Sequence, residues 1–297
     1  MNIFKKKEKK IRLKLVFSML GTVFSIFGVI FVVIRFTNYI DSINLLRFRY
    51  IDWVAFAFLA LIYAFDNLAL VIAWRNIVKF LGTKIPFSQA IYIYGMSQLA
   101  KYVPGNIFHL AGRQALGMAA GLPGWVLVKS SVLELGLIAL VGALFGLLVL
   151  PLWLKGFSIV VAFLLFAFTF ISITFMVRHY ISKDIGSALC WQMFFLLLSG
   201  LIFVGILYIL SLNMLSIKMI LGFVGAFIIA WLAGLVTPGA PAGVGVRELV
   251  LIFFLKDIIN EADLLLAVII GRLITIMGDF VFAIICTLNK VFPRNFN

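Results

Sequence analysis

The sequence predicts an all-α polytopic membrane protein with about seven to eight transmembrane helices, two broken or re-entrant segments and the signs of an internal inverted repeat. Three observations carry this. Of the 297 residues, 64% are hydrophobic and only 12% charged, about half the charged share of a soluble domain, and the mean hydropathy is +1.19. Apolar runs recur at the length that crosses a bilayer, about 20 residues, without the strand alternation of a β-barrel. Two short polar islands interrupt these runs, 104–113 and 238–247. Each opens with Pro-Gly and reaches an Arg nine residues after the Pro.

Along the chain, residues 1–13 hold Lys5, Lys6, Lys7, Lys9, Lys10 and Arg12, a basic segment that fits a cytoplasmic N-terminus. No small-residue cleavage site follows the first apolar run, so that run reads as a signal-anchor. Spans are predicted near 14–34, 53–74, 124–150, 157–177, 187–211, 215–236 and 264–288, forming one membrane domain over 14–288. Two further segments, about 86–120 and about 237–257, are interrupted, each as a re-entrant hairpin or a broken helix. The tail 289–297 carries Lys290 and Arg294, which favour a cytoplasmic C-terminus and hence an even number of crossings, eight by preference. The net charge of +14 fits cytoplasmic loops and anionic lipid heads better than nucleic acid. The expected location is the cell membrane.

In the first island Pro104 removes a backbone donor and Gly105 admits conformations closed to other residues, so the helix carrying Tyr92, Tyr94, Ser97 and Gln98 should end there. Asn106 is a good N-cap for a new helix, whose free amides favour an anion. The second island is richer in breakers, with Pro238, Gly239, Pro241, Gly243 and Gly245, and its glycine backbone beside Arg247 is suited to cradling a phosphate. No strand precedes Gly243-x-Gly245, so it is not a dinucleotide motif.

Charges at bilayer depth should face the bundle interior. Glu134 lies in the span near 124–150, and Arg272 and Asp279 share the last span, seven residues apart. That spacing puts both on one side, about 10 Å apart along the axis, so each should find its partner on another helix. Pairing with Glu134 and an island Arg is one such arrangement. Asp66 reads as a structural polar contact, Lys129 as a snorkelling residue, and Gly142-x-x-x-Gly146 as a close-packing site. Lys101 reads equally as an interfacial lysine or a ligand. His109 and His179 are far apart, Cys190 and Cys286 lie in apolar stretches, and no metal or cofactor motif is present.

At Lys101-Tyr102-Val103-Pro104-Gly105 with Gly112-Arg113, at Glu134, and at Pro238-Gly239 through Gly243-Val244-Gly245-Val246-Arg247-Glu248, the chain resembles the lysylphosphatidylglycerol synthase transmembrane-region family. The likeness spans roughly 15–288, and Ala240-Pro241-Ala242 departs from it where more glycine is expected. The resemblance implies flippase-like movement of lipid across the bilayer. Members that aminoacylate lipid carry a large soluble domain after the membrane part. Here the sequence stops at Asn297, so synthase activity is not expected.

Three functions compete. The first is a transporter of a phospholipid or a polyprenyl-phosphate-linked lipid. In that reading Arg113 and Arg247 bind phosphate, and Lys101, Asn106, Glu134, Glu248, Arg272 and Asp279 complete a polar track. No nucleotide-binding loop is present to drive pumping. The second is a membrane enzyme acting on lipid head groups, with Glu134, Glu248, Asp279 and His109 as acid–base groups. The third is a non-catalytic partner of a separate lipid or glycan enzyme, and a homo-oligomer is also allowed. Transport is the expectation, with no enzyme activity.

Overall fold

The computed structural model describes residues 48–102, 108–154, 156–210, 217–237 and 245–288, and among them all regular structure is helical. The basic N-terminus, the span near 14–34, the tail 289–297, and Pro104, Gly105, Asn106, Pro238, Gly239 and Gly243 lie outside the described residues. Six of the described helices are long and apolar enough to cross a membrane.

The order is α1 (Tyr50–Phe80), α2 (Phe87–Gln98) with a 3-10 turn (Leu99–Tyr102), α3 (Phe108–Ala119), α4 (Gly124–Leu144) and α5 (Gly146–Trp153). Then come α6 (Ile159–Met176) with a π-turn (Val177–Ile181), α7 (Lys183–Ile209), α8 (Ile217–Val236), α9 (Val246–Leu255) and α10 (Glu261–Leu288). The helix ends follow local chemistry. α1 and α3 stop at Gly82 and Gly121, whose φ values of 85° and 88° reverse the chain and let following amides bond back to the last turn. Ser158 and Ser182 cap α6 and α7 by accepting from the Val160 and Asp184 amides.

Helix directions follow from named contacts. Lys79 meets Asp184 at 2.6 Å, and Asp66 meets Ser199 at 3.1 Å, so α1 and α7 are antiparallel. The face where α1 ends therefore also holds the starts of α2 and α7. A Cβ built on Gly112 would lie 3.7 Å from the Ser97 Cβ. Fifteen residues of continuous helix would separate these positions by about 22 Å. The arms α2 and α3 thus fold back on each other, and the first interrupted segment is a re-entrant hairpin.

The second interrupted segment behaves alike, with one difference from the sequence reading. That reading treats 215–236 and 237–257 as separate segments. In the structure α8, although long enough to cross, is the first arm of a hairpin whose second arm is α9. The Arg247 guanidinium returns to 5.9 Å from the Trp231 ring centre, and Phe253 ends beside Trp153 at 4.9 Å. Composition could not reveal this, because an apolar run of 20 residues looks the same whether it crosses or turns back. α2 and α10 are antiparallel, since Gly95 packs on Cys286 while Lys101 pairs with Asp279.

Two units of opposite orientation result. α1, the α2–α3 hairpin and α4–α5 form one; α7, the α8–α9 hairpin and α10 form the other, with α6 between them. The hairpins enter from opposite faces, as the recurrence of Pro-Gly suggests. Close helix approach depends on glycine. A Cβ on Gly278 would sit 2.8 Å from the Ala60 carbonyl oxygen, and one on Gly225 would sit 2.8 Å from that of Phe145, at the junction of α4 and α5. Gly142 and Gly146 face Leu232 and Ile229 of α8, the packing role their spacing predicts.

Candidate functional site

A cavity of about 150 Å³ lies where the two hairpins meet. The first hairpin supplies Lys101, Tyr102, His109 and Arg113, and the second supplies Trp231, Leu235 and Arg247. Tyr63 from α1, Glu134 from α4, Ser199 from α7 and Arg272 from α10 complete the polar part of the wall. The volume matches an engineered cavity of about 150 Å³ that admits benzene, so it has room for a molecule of about that size.

Each intramembrane carboxylate that sequence analysis selected is engaged. Glu134 accepts from the Tyr94 hydroxyl at 2.6 Å and from Arg113. The Arg113 guanidinium also sits over the rings of Tyr94, at 3.8 Å, and Trp74, at 5.5 Å. Only 2% of its side chain and 8% of that of Glu134 are exposed. Asp279, fully buried, accepts from Lys101 at 2.6 Å, from Tyr102 and from Asn67 at 3.2 Å. Gln98 donates in turn to Asn67.

Glu248 holds the second hairpin to α10. One of its oxygens accepts from Nε and Nη2 of Arg272 at 3.0 and 2.7 Å. The other accepts from the Gly245 amide at 2.7 Å, closing the first turn of α9, where Gly245 has φ 86°. This is the glutamate half of a capping box, and it needs glycine at the cap because of that φ. The two hairpins therefore carry the same bond with the charges exchanged. Arg113 on α3 meets Glu134 on α4, and Glu248 on α9 meets Arg272 on α10.

Arg247 differs from the other cations. It lines the cavity, lies over Trp231, and, like that of Arg113, its Nε is buried without a hydrogen-bond partner, so the missing carboxylate is what sets it apart. Among the described residues no carboxylate pairs with it, whereas Lys101, Arg113 and Arg272 each have one. Neither Pro-Gly island contains an Asp or Glu. Asp66 is buried behind Ser199, accepts its hydroxyl, and touches no cation among the described residues.

The structure thus brings Lys101, Arg113, Glu134, Arg247 and Arg272 to one cavity, with Glu248 and Asp279 behind its wall holding Arg272 and Lys101. Arg272 and Asp279 do find partners on other elements. Arg272 does not pair with Glu134, because Arg113 occupies it, and Asp279 meets Lys101 rather than an island arginine. Lys101 is held by Asp279 rather than left at the interface. Lys129 is exposed and sits 5.1 Å from the Trp125 ring centre, consistent with snorkelling. Sequence reasoning missed Tyr63, Tyr94, Asn67 and Trp231. An aromatic or lone amide inside an apolar run gives no signal apart from core packing.

Neither protein-family models nor curated proteins nor solved structures give a match to this chain.

Proposed function

We propose that this protein is a flippase-like transporter that moves a phosphate-bearing lipid between leaflets. One observation carries the reading: a charged cavity sits between two re-entrant hairpins that enter from opposite faces. A head group passing the bilayer needs a polar station at that depth, while its acyl tails stay in lipid. Substrate sites at the interface of inverted repeats, beside interrupted helices, are a recurrent solution. Intramembrane ionisable groups kept in pairs also accord with a substrate pathway.

Head-group chemistry is the weaker reading. Glu134, Glu248 and Asp279 are each committed to a cation and at least one further donor, which leaves none of these carboxylates poised as a base, and His109 on the cavity wall is the one acid–base candidate of that reading with a buried nitrogen that has no partner among the described residues. The test uses purified protein in vesicles with labelled phospholipid. Transport predicts leaflet exchange faster than in protein-free vesicles, with the lipid recovered chemically unchanged. Modified lipid would instead indicate an enzyme. Absence of exchange, with a lipid or glycan enzyme co-purifying, would indicate the partner role.

A further inference from the structure

We infer that Arg247 forms a monoanion subsite whose ligand is the phosphodiester of a phospholipid carrying one net negative charge, rather than a phosphomonoester or a zwitterion. The inference rests on the transport reading and narrows its substrate to one chemical class.

The argument starts from charge matching. Four cations stand at the cavity, Lys101, Arg113, Arg247 and Arg272. Three carboxylates match three of them one to one. The remaining guanidinium is Arg247, and the acid next to it in the chain, Glu248, is already committed to Arg272 and the Gly245 amide. A cation away from water favours one compensating negative charge. A phosphodiester supplies one, while a phosphomonoester supplies about 1.5 to 2 at neutral pH, leaving surplus charge in a cavity whose other cations are already matched. A zwitterion supplies the phosphate together with a second cation, which must then sit among Lys101, Arg113 and Arg272.

Geometry supports the same ligand. Trp231 lies beside one side of the Arg247 guanidinium, a cation–π contact that orients the planar fork. The Nε of Arg247 has no hydrogen-bond partner, and a guanidinium can offer a phosphate two donors side by side. The Arg272 guanidinium on the same wall is already bridged to Glu248, so it shapes the field without needing the ligand. A smaller pocket of about 30 Å³, lined mostly by apolar side chains such as Phe203, Phe227 and Leu251 and also by Arg272 and Thr275, lies beside Trp231 and Arg247.

The test is equilibrium binding to the full chain in detergent, read by Trp fluorescence or calorimetry. The probes are three short-chain lipids: dihexanoyl phosphatidylglycerol as the monoanion, dihexanoyl phosphatidate as the monoester and dihexanoyl phosphatidylcholine as the zwitterion. The expected order of affinity is phosphatidylglycerol first, by at least about tenfold, the weight of one charge-assisted hydrogen bond. Arg247→Gln should remove that preference and weaken phosphatidylglycerol about 10- to 100-fold, with melting unchanged. Arg247→Lys should restore the charge preference but recover affinity only in part, since the fork is lost. Lys129→Gln, an exposed lysine remote from the cavity, should change nothing and so excludes nonspecific attraction. Equal affinity for the three probes, or an undiminished preference in a folded Arg247→Gln protein, would overturn the inference. Selective binding of the monoanion without any leaflet exchange would overturn the transport reading while leaving the subsite standing.

Discussion

The two arginines of the islands should fail in different ways. Arg113→Met removes the cation from a pair in which 2% and 8% of the two side chains are exposed. Glu134 is then left with the Tyr94 hydroxyl as its one remaining side-chain donor among the described residues. Removing one partner of a buried pair costs about 3–5 kcal/mol, because the other charge is stranded. Loss of stacking on Tyr94 and Trp74 adds about 0.5–2 kcal/mol. At about 2–4 °C per kcal/mol for a protein of this size, the melting temperature should fall by at least about 6 °C. The assay is reaction of a thiol-sensitive dye with Cys286, which is 1% exposed and packed on Gly95, in a Cys190→Ala background. The double variant Arg113→Met with Glu134→Gln should recover at least half of the loss, since glutamine keeps an acceptor for Tyr94 and buries no charge. Arg247→Gln strands no carboxylate and should melt within about 2 °C of the parent. An Arg113→Met protein as stable as the parent, or no recovery in the double variant, would refute the assignment of Arg113 to structure and Arg247 to ligand.

Three further outcomes follow from the same geometry. Gly278→Ala should cost about 1–3 kcal/mol, because its new methyl meets the backbone oxygen of Ala60, a contact that a shift of the nearby Tyr63 ring does not relieve; a melting curve checks it. Gly95→Ala should be destabilising alone and partly rescued by Cys286→Ala, since the obstruction there is the sulfur of Cys286. Cysteines introduced at Thr83 and at Asp257 should react with a membrane-impermeant thiol reagent from opposite sides, because the turns after α1 and α9 lie on opposite faces; labelling from one side would contradict the inverted orientation of the hairpins.

Much of this was legible in the sequence, and the part that was not has a physical cause. The spans near 53–74, 124–150, 157–177, 187–211 and 264–288 correspond to α1, α4–α5, α6, α7 and α10, because apolar length and bilayer thickness constrain each other. The choice between hairpin and broken helix was not legible. Proline and glycine end a helix but do not set the direction of the chain that follows, and only the Ser97–Gly112 and Trp231–Arg247 approaches decide it. That Glu134, Arg272 and Asp279 must find partners followed from the cost of charge in hydrocarbon. Which partner each takes depends on helix rotation and register, which is why Arg272 meets Glu248 rather than Glu134, and Asp279 meets Lys101 rather than an island arginine. The island arginines looked equivalent by spacing alone, and a neighbouring carboxylate is what separates them.

The central claim is that lipid crosses by way of the cavity between the hairpins, with Arg247 holding its phosphate. Leaflet exchange of labelled phosphatidylglycerol in vesicles holding equal amounts of folded parent or Arg247→Gln protein tests it most directly. The account predicts rapid exchange in the parent and exchange slowed at least about tenfold in the variant, the weight of one charge-assisted contact. Equal rates in two proteins of equal stability would contradict it.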